Sequence, residues 1–194
     1  MTLEARRPLI LGIGGTIRPG SSTEKALAVA LRAAESQGAE TRILGGEFLA
    51  RLPIYNPSNA DKTPEQDELA QAVRAADGVI VASPGYHGSI SGVMKNALDT
   101  LEALRDDARP YFTDRAVGCI ITADGWQAAG TTLTALRSII HAMRGWPTPF
   151  GAALNATSGL FDAEGACTEA KDAWQLATVA EQVLEFAQMK VAVR

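Results

Sequence analysis

The sequence predicts a three-layer α/β fold: a five-stranded parallel sheet in the order 2-1-3-4-5 with helices on both faces. Three observations lead there. Apolar runs of strand length recur along the chain, each gives way to a Gly, Pro or Ser cluster, and amphipathic helical patterns fill the intervals. Strict alternation of strand and helix implies right-handed crossovers and therefore parallel strands covered on both sides. The runs are continuously apolar rather than alternating, as strands buried on both faces are.

Taken in order, the first strand is read over residues 9–13, followed by a helix whose face carries Leu27, Ala30, Leu31 and Ala34. The second strand is read over 41–44. Residues 45–63, rich in Gly, Pro and Asn, form the longest irregular stretch, and long loops in compact domains often serve function. Leu69, Ala72, Val73 and Ala76 line a second helix before the third strand, 78–82. Met94, Ala97, Leu98, Leu101 and Leu104 line the third helix, ahead of the fourth strand at 116–121. Leu133, Leu136, Ile140 and Met143 line the fourth, and the fifth strand is read over 150–153. A final stripe of Ala173, Leu176, Ala177, Ala180, Val183, Leu184 and Ala187 makes the last helix.

A chain of 194 residues, 46% hydrophobic, can bury one sizeable core, so residues 1–194 are read as a single domain. The net charge of −4 leaves no surplus of Lys and Arg to neutralise a run of phosphates, which argues against nucleic acid as a partner. Cys119 lies in an apolar run and reads as a buried thiol rather than half of a disulfide with Cys167. The apolar run after Arg6 and Arg7 is too short for a signal segment, and no stretch approaches a membrane span. The expectation is a cytoplasmic protein with no membrane partner.

Sheets of this type bind ligands beyond the carboxyl ends of their strands, where the strand order reverses. That point falls between the first and third strands, which directs attention to loops 14–24 and 83–92, with 122–130 beside them. The first loop reads GIGGTIRPGSSTEKAL. A dinucleotide fingerprint starting at Gly12 finds Ile17 where its third glycine belongs. A Walker A loop starting at Gly15 finds Ser21 and Ser22 where Lys is needed. What remains is a set of hydroxyl donors, Thr16, Ser21, Ser22 and Thr23, with Arg18 supplying charge at a helix start. That inventory suits one terminal phosphomonoester without a metal. A helix cap would account for one of those hydroxyls but not for four together with Arg18.

The second loop, SPGYHGSISGVMKNALDTL, is shaped by Pro84, Gly85, Gly88 and Gly92, and projects Tyr86 and His87. Backbone N–H groups at such a turn can donate to the carbonyls of a flat heterocycle. This segment resembles the NADPH-dependent FMN reductase family, whose members read PEYNGSIPGVLKNALDWL after a phosphate loop of the form GSxRxxSxN. GWQAAGTTLTALR, with Leu136 and Arg137, is similar to the family's fourth loop and helix. The resemblance implies a flavodoxin-like fold and bound FMN, with Thr16, Arg18, Ser22 and Glu24 around the phosphate. It implies further that Pro84, Gly85, Tyr86, His87 and Gly88 flank the pyrimidine side of the flavin, and Ala123, Asp124 and Gly125 its other edge. Three positions depart from the family pattern. Glu24 stands in place of Asn, and is also spaced to complete a capping box with Ser21. Ser91 replaces Pro. Gly85 replaces Glu, which removes a charge and is expected to open space.

The activity implied is that of an NAD(P)H-dependent FMN reductase, an oxidoreductase passing hydride from NADPH or NADH through FMN to free flavin or a small oxidised acceptor in ping-pong fashion. A quinone or azo-compound reductase on the same site, a flavodoxin-like electron carrier and a non-flavin phosphate-binding protein stand as alternatives. No protein acid or base is required, so no catalytic residue is assigned; Tyr86 and His87 are candidates to flank the reacting face. Neither His87 nor His141 belongs to a metal motif, and His141 reads as structural. Tyr55, in LPIYNPS, is placed either near the flavin and a partner subunit or in packing beneath its loop; Trp126 either walls the flavin or fills a subunit contact; Trp146 and Trp174 read as packing residues. The family resemblance implies a homodimer or homotetramer, with a flavin-dependent monooxygenase as one candidate recipient of reduced FMN.

Overall fold

The computed structural model describes residues 6–59 and 61–192, so the ends of the expected 1–194 unit lie outside the described residues. Strand β1 (Leu9–Gly14) leads into helix α1 (Ser22–Ser36), β2 (Glu40–Leu44), α2 (Gly46–Arg51) and α3 (Pro64–Ala75). Next come β3 (Gly78–Tyr86), β4 (Ser89–Ile90), α4 (Gly92–Thr100) with a 3-10 turn at Leu101–Leu104, and β5 (Ala116–Ala123). Helix α5 (Trp126–Ala142), β6 (Trp146–Pro147), β7 (Ala152–Asn155), a 3-10 turn at Ala156–Ser158 and α6 (Ala170–Ala192) complete the chain.

The parallel sheet runs β2-β1-β3-β5-β6, with β7 also on β5. This is the expected 2-1-3-4-5 arrangement with its last strand split. Trp146 and Pro147 pair with Ala116 and Val117, and β7 then resumes the pairing from Ala152 opposite Ile120 to Asn155 opposite Ala123. Pro147 and Pro149 account for the break, because proline cannot donate to a ladder and is tolerated at an edge. The additional strand, β4, is a two-residue antiparallel return on the end of β3. It lengthens the third strand well past residue 82, where the sequence had ended it.

Two apolar layers enclose the sheet. Leu11, Ile13, Val79, Val81, Val117, Cys119 and Ile121 pack against α3, α4 and α5 on one face. Ile10, Ile80, Ala82, Ile120, Ala152 and Leu154 pack against α1 and α6 on the other. The period of two in these lists is the alternation of a pleated strand, both of whose faces are buried. The expected faces of α1, α3 and α4 are the buried ones. On α6 the buried stripe includes Val179, Asp172 and Gln175, while Ala173 and Ala177 are half-buried.

Four readings change. β2 is not a buried apolar strand: Glu40, Arg42 and Ile43 are exposed because it is the sheet edge. The irregular stretch 45–63 contains α2 at its start. Trp146 and Trp174 are 60% and 57% exposed, Trp146 resting tilted against Phe186 and Trp174 edge-on against Phe150 rather than filling the core. His141 is exposed on α5 and holds no place in the core.

Candidate functional site at the carboxyl ends of β1, β3 and β5

Helix α1 starts where Ser21 adopts an extended backbone and its Oγ accepts a hydrogen bond from the Glu24 N–H at 3.3 Å. The reciprocal bond from Glu24, which would complete a capping box, is absent among the described residues. The Glu24 carboxylate instead lies over α2, its Oε1 2.5 Å from where a Cβ on Gly45 would stand. Thr23 is buried, and its Oγ1 shares a 2.6 Å hydrogen bond with Thr122 Oγ1, tying the first turn of α1 to the end of β5. Ser21 and Thr23 thus spend their hydroxyls on the fold. Ser22 and Thr16 are half-buried, Arg18 is exposed, and the Thr16 Oγ1 accepts from the Arg18 N–H at 3.1 Å, which folds the loop back on itself. Among the described residues the Arg18 guanidinium makes no hydrogen bond or ion pair. It stands as an uncommitted cation at a helix N-terminus, where anions are favoured by the dipole and by free N–H groups.

The backbone of this loop is braced from behind. A Cβ on Gly46, the first residue of α2, would fall 1.7 Å from the Thr16 carbonyl oxygen and 3.0 Å from its nitrogen. Only glycine admits so close an approach, and the loop's curvature depends on it.

The second loop is a β-hairpin. Gly85 pairs with Ile90 and Tyr86 with Ser89, leaving His87 and Gly88 as a two-residue turn with φ of 51° and 83°. Positive φ at both central residues is the type I′ signature, whose twist matches the strands. Ser83 secures the exit: its Oγ accepts from the Ser91 N–H at 3.0 Å and donates to the Pro84 carbonyl at 2.9 Å. Ser91 then caps α4 by accepting from the Met94 N–H at 3.3 Å, so serine does here by hydrogen bonding what proline would do by its ring.

Gly85 does not open space. A Cβ there would meet Thr132 Oγ1 at 2.8 Å, the Ala123 methyl at 3.0 Å and the Ala128 carbonyl at 3.4 Å. Helix α5 and the end of β5 occupy the volume a side chain would need, and the expectation of room is overturned. The third loop turns at Asp124 and Gly125, the latter with φ of 108°. The Gly125 N–H donates to Asn155 Oδ1 at 3.2 Å, and the same oxygen accepts from the Thr157 N–H at 3.1 Å.

These loops enclose a cavity of about 420 Å³ lined by Thr16, Arg18, Ser21, Ser22, Thr23, Pro84, Gly85, Tyr86, His87, Ala123 and Asp124, together with Thr122, Ala128 and Ala156. Glu24, Gly88 and Gly125 do not line it. Thr122 and Ala128 fall in the 122–130 loop that the sequence singles out but were not named as site residues, and Ala156 lies beyond it; the alanines carry no chemical signal. The size falls in the range of small-ligand pockets. Its donor set fits FMN, with hydroxyls, Arg18 and a helix start for a phosphate at one end, and a largely uncharged Pro84–Gly85 wall for a flat ring at the other. Tyr86 is 53% and Trp126 59% exposed; Trp126 lies outside the lining, with the Lys171 ammonium 5.5 Å from its ring. Among the described residues no group of His, Cys, Asp and Glu could hold a metal.

Tyr55 lies elsewhere. It lines a second cavity, of about 360 Å³, between the loop that follows α2 and the end of α4. Asn96 holds that loop, accepting from the Tyr55 N–H at 2.8 Å and donating to the Pro53 carbonyl at 3.0 Å. No residue of the three loops lines this second cavity.

A family model described as NADPH-dependent FMN reductase matches residues 8–158. A Staphylococcus aureus protein named FMN-dependent NADPH-azoreductase is 34% identical over 108 residues, 52% of this chain and 54% of that protein. The chain therefore spans about half the length of the curated relatives it matches. Among solved structures, FerB, a flavoenzyme NAD(P)H:(acceptor) oxidoreductase from Paracoccus denitrificans, superposes with a TM-score of 0.72 at 21% identity, covering 94% of this chain and 98% of that one. A flavodoxin, WrbA-like protein from Agrobacterium tumefaciens gives 0.62 at 16% identity, covering 94% and 98%. At these identities the likeness is one of fold, and the fold is flavodoxin-like.

Proposed function

The chain belongs to the NADPH-dependent FMN reductase family, and from that premise we propose that it is an NAD(P)H-dependent oxidoreductase that binds FMN in the cavity at the β1/β3 switch point. One observation carries the reading. The uncommitted Arg18 and the half-buried Thr16 and Ser22 share one cavity with the uncharged wall of the β3–β4 hairpin. A phosphate and a flat ring are thereby both provided for.

FMN, when bound, supplies the two-electron relay between a nicotinamide and an oxidised acceptor. The chain's own residues hold and orient it. Arg18, Thr16, Ser22 and the first N–H groups of α1 take the phosphate; Ser21 and Thr23 keep that helix start in place. Pro84, Gly85, Tyr86 and His87 flank one edge of the ring, Ala123 and Asp124 the other. No side chain in the cavity is needed to move a proton in the hydride step. Free flavin is the proposed acceptor. The name of the 34%-identical relatives supports a second reading, an azo compound on the same site.

We propose further that residues 1–194 act as one domain in a homodimer or homotetramer in the cytoplasm, and that reduced FMN passes to a monooxygenase. Both cysteines are free, which accords with a reducing compartment.

Titration of purified protein with FMN, followed by NADPH or NADH oxidation with FMN alone and with an azo dye, tests the reading. Saturable FMN binding with nicotinamide oxidation is expected. No binding at millimolar FMN overturns it, and FMN binding without nicotinamide oxidation points to an electron carrier instead.

A further inference from the structure

Thr132 is wholly buried on α5, and its hydroxyl has no hydrogen-bond partner among the described residues. A threonine inside a helix often satisfies its Oγ1 at the carbonyl of the preceding turn. Thr134 and Thr100 do so, donating to the Gly130 and Asn96 carbonyls at 3.1 and 2.9 Å. Thr132 forgoes this bond and presents its oxygen to Gly85, 2.8 Å from where a Cβ would be. The neighbouring Thr131 puts its methyl 3.9 Å from the corresponding point on Gly88. Two adjacent threonines of α5 thus face the strand glycine and the turn glycine of one hairpin.

That hairpin has two residues on each strand, too few to be stable on its own. Its position must come from what it leans on. Its root is held by the sheet, where Pro84 lies opposite Thr122 of β5, and the Ser83–Ser91 hydrogen bond holds its exit; beyond Pro84 the flank at Gly85 and Gly88 rests on α5 and on the Ala123 methyl. Close-packed interiors transmit displacement, so whatever fills the space beside Gly85 sets where Gly85 and Tyr86 stand in the cavity.

We propose that Thr132 is the positioning residue of this cavity: it seats the β3–β4 hairpin by occupying the side-chain space of Gly85, and through it aligns the wall against which FMN lies. The inference rests on the FMN reading above. Shape rather than the hydroxyl is what the hairpin needs, so Thr132→Val retains the function and Thr132→Ala loses it.

Three readouts decide the matter: amide hydrogen exchange of residues 86–89 in the apo protein, the dissociation constant for FMN, and the midpoint potential of bound FMN. Thr132→Ala is expected to speed hairpin exchange and weaken FMN binding, each by about tenfold, and to shift the potential, whereas Thr132→Val stays close to wild type in all three. Gly85→Ala is expected to weaken FMN binding by more than about tenfold, and Gly85→Ala with Thr132→Ala to recover most of that loss. The proposal is overturned if Thr132→Ala leaves exchange and affinity unchanged, or if the double variant binds no tighter than Gly85→Ala. Should Gly85→Ala not fold, the Ala and Val variants at 132 decide by the same readouts. Wild-type protein that fails to bind FMN overturns the flavin reading and the alignment role with it; hairpin exchange in the apo variants then still shows whether Thr132 seats the hairpin.

Discussion

The two ends of the sheet treat arginine in opposite ways. At the amino end Arg115 is 1% exposed and donates to four backbone carbonyls: Ala76 at 2.9 Å, Tyr111 and Arg74 at 3.1 Å and Thr113 at 3.2 Å. Beside it Asp77 accepts from the Leu9 N–H at 2.9 Å and from Arg6 at 2.8 Å. At the carboxyl end Arg18 is exposed, and its guanidinium is bonded to nothing among the described residues. One cation is consumed by the fold and the other is left uncommitted by it. A buried charge must be saturated with partners to be tolerated, whereas a binding charge must not be. The contrast sets an end committed to the fold against the end proposed to take the ligand, within one sheet.

Replacing Arg115 by Leu breaks the contrast most severely. It strands several buried carbonyls, and urea unfolding is expected to show a loss of about 3–5 kcal/mol, with FMN affinity of the folded fraction unchanged. Arg18→Ala should do the reverse: FMN binding weakens roughly 10- to 100-fold, the equivalent of about 1.5–3 kcal/mol for a charge-assisted hydrogen bond, while the apo melting temperature stays put. Glu24→Gln, whose carboxylate lies over Gly45, is expected to change affinity by less than about threefold; a larger effect at Glu24 than at Arg18 would show that the loop has been misassigned.

Gly46→Ala is expected to touch both stability and affinity. Its methyl would collide with the Thr16 carbonyl, so about 1–3 kcal/mol of stability should be lost to overpacking and phosphate affinity should fall with it. Thermal melts with and without FMN separate the two losses.

The smallest effect lies in the core between the two ends. Burial pushes the Cys119 thiol from its ordinary value near 9.0 up to about 12, a little offset by Arg137. The unfolded chain releases this proton at lower pH than the folded one, so the stabilisation is complete below about pH 9 and declines as pH rises towards 12. Cys119→Ala is expected to remove that part of the alkaline decline. Mass spectrometry after iodoacetamide at neutral pH should find Cys119 unmodified in the native protein and modified in urea.

Much of this molecule was legible in residue order because the relevant signals are local. A 3.6-residue period marks the inner face of a helix, and an apolar run bounded by glycine marks a buried strand. A hydroxyl-rich turn before a helix marks an anion site. The strand order, the faces of α1, α3 and α4, and the cluster of Thr16, Arg18 and Ser22 with Pro84 to His87 all rest on such signals. Trp146 and Trp174 were misread because hydrophobicity alone does not say which side of an edge strand or helix an aromatic occupies.

How elements distant in sequence divide the available space is fixed in three dimensions. That Ser21 and Thr23 serve the fold while Ser22 and Arg18 remain available depends on the position of Thr122 and on the first turn of α1. That Gly85 is a glycine because α5 and Ala123 fill its side-chain volume, and Gly46 because the backbone of Thr16 crosses it, depends on contacts between segments tens of residues apart. Sequence pattern reports which face a residue turns inward; excluded volume, which is a property of the packed chain, reports what is already there.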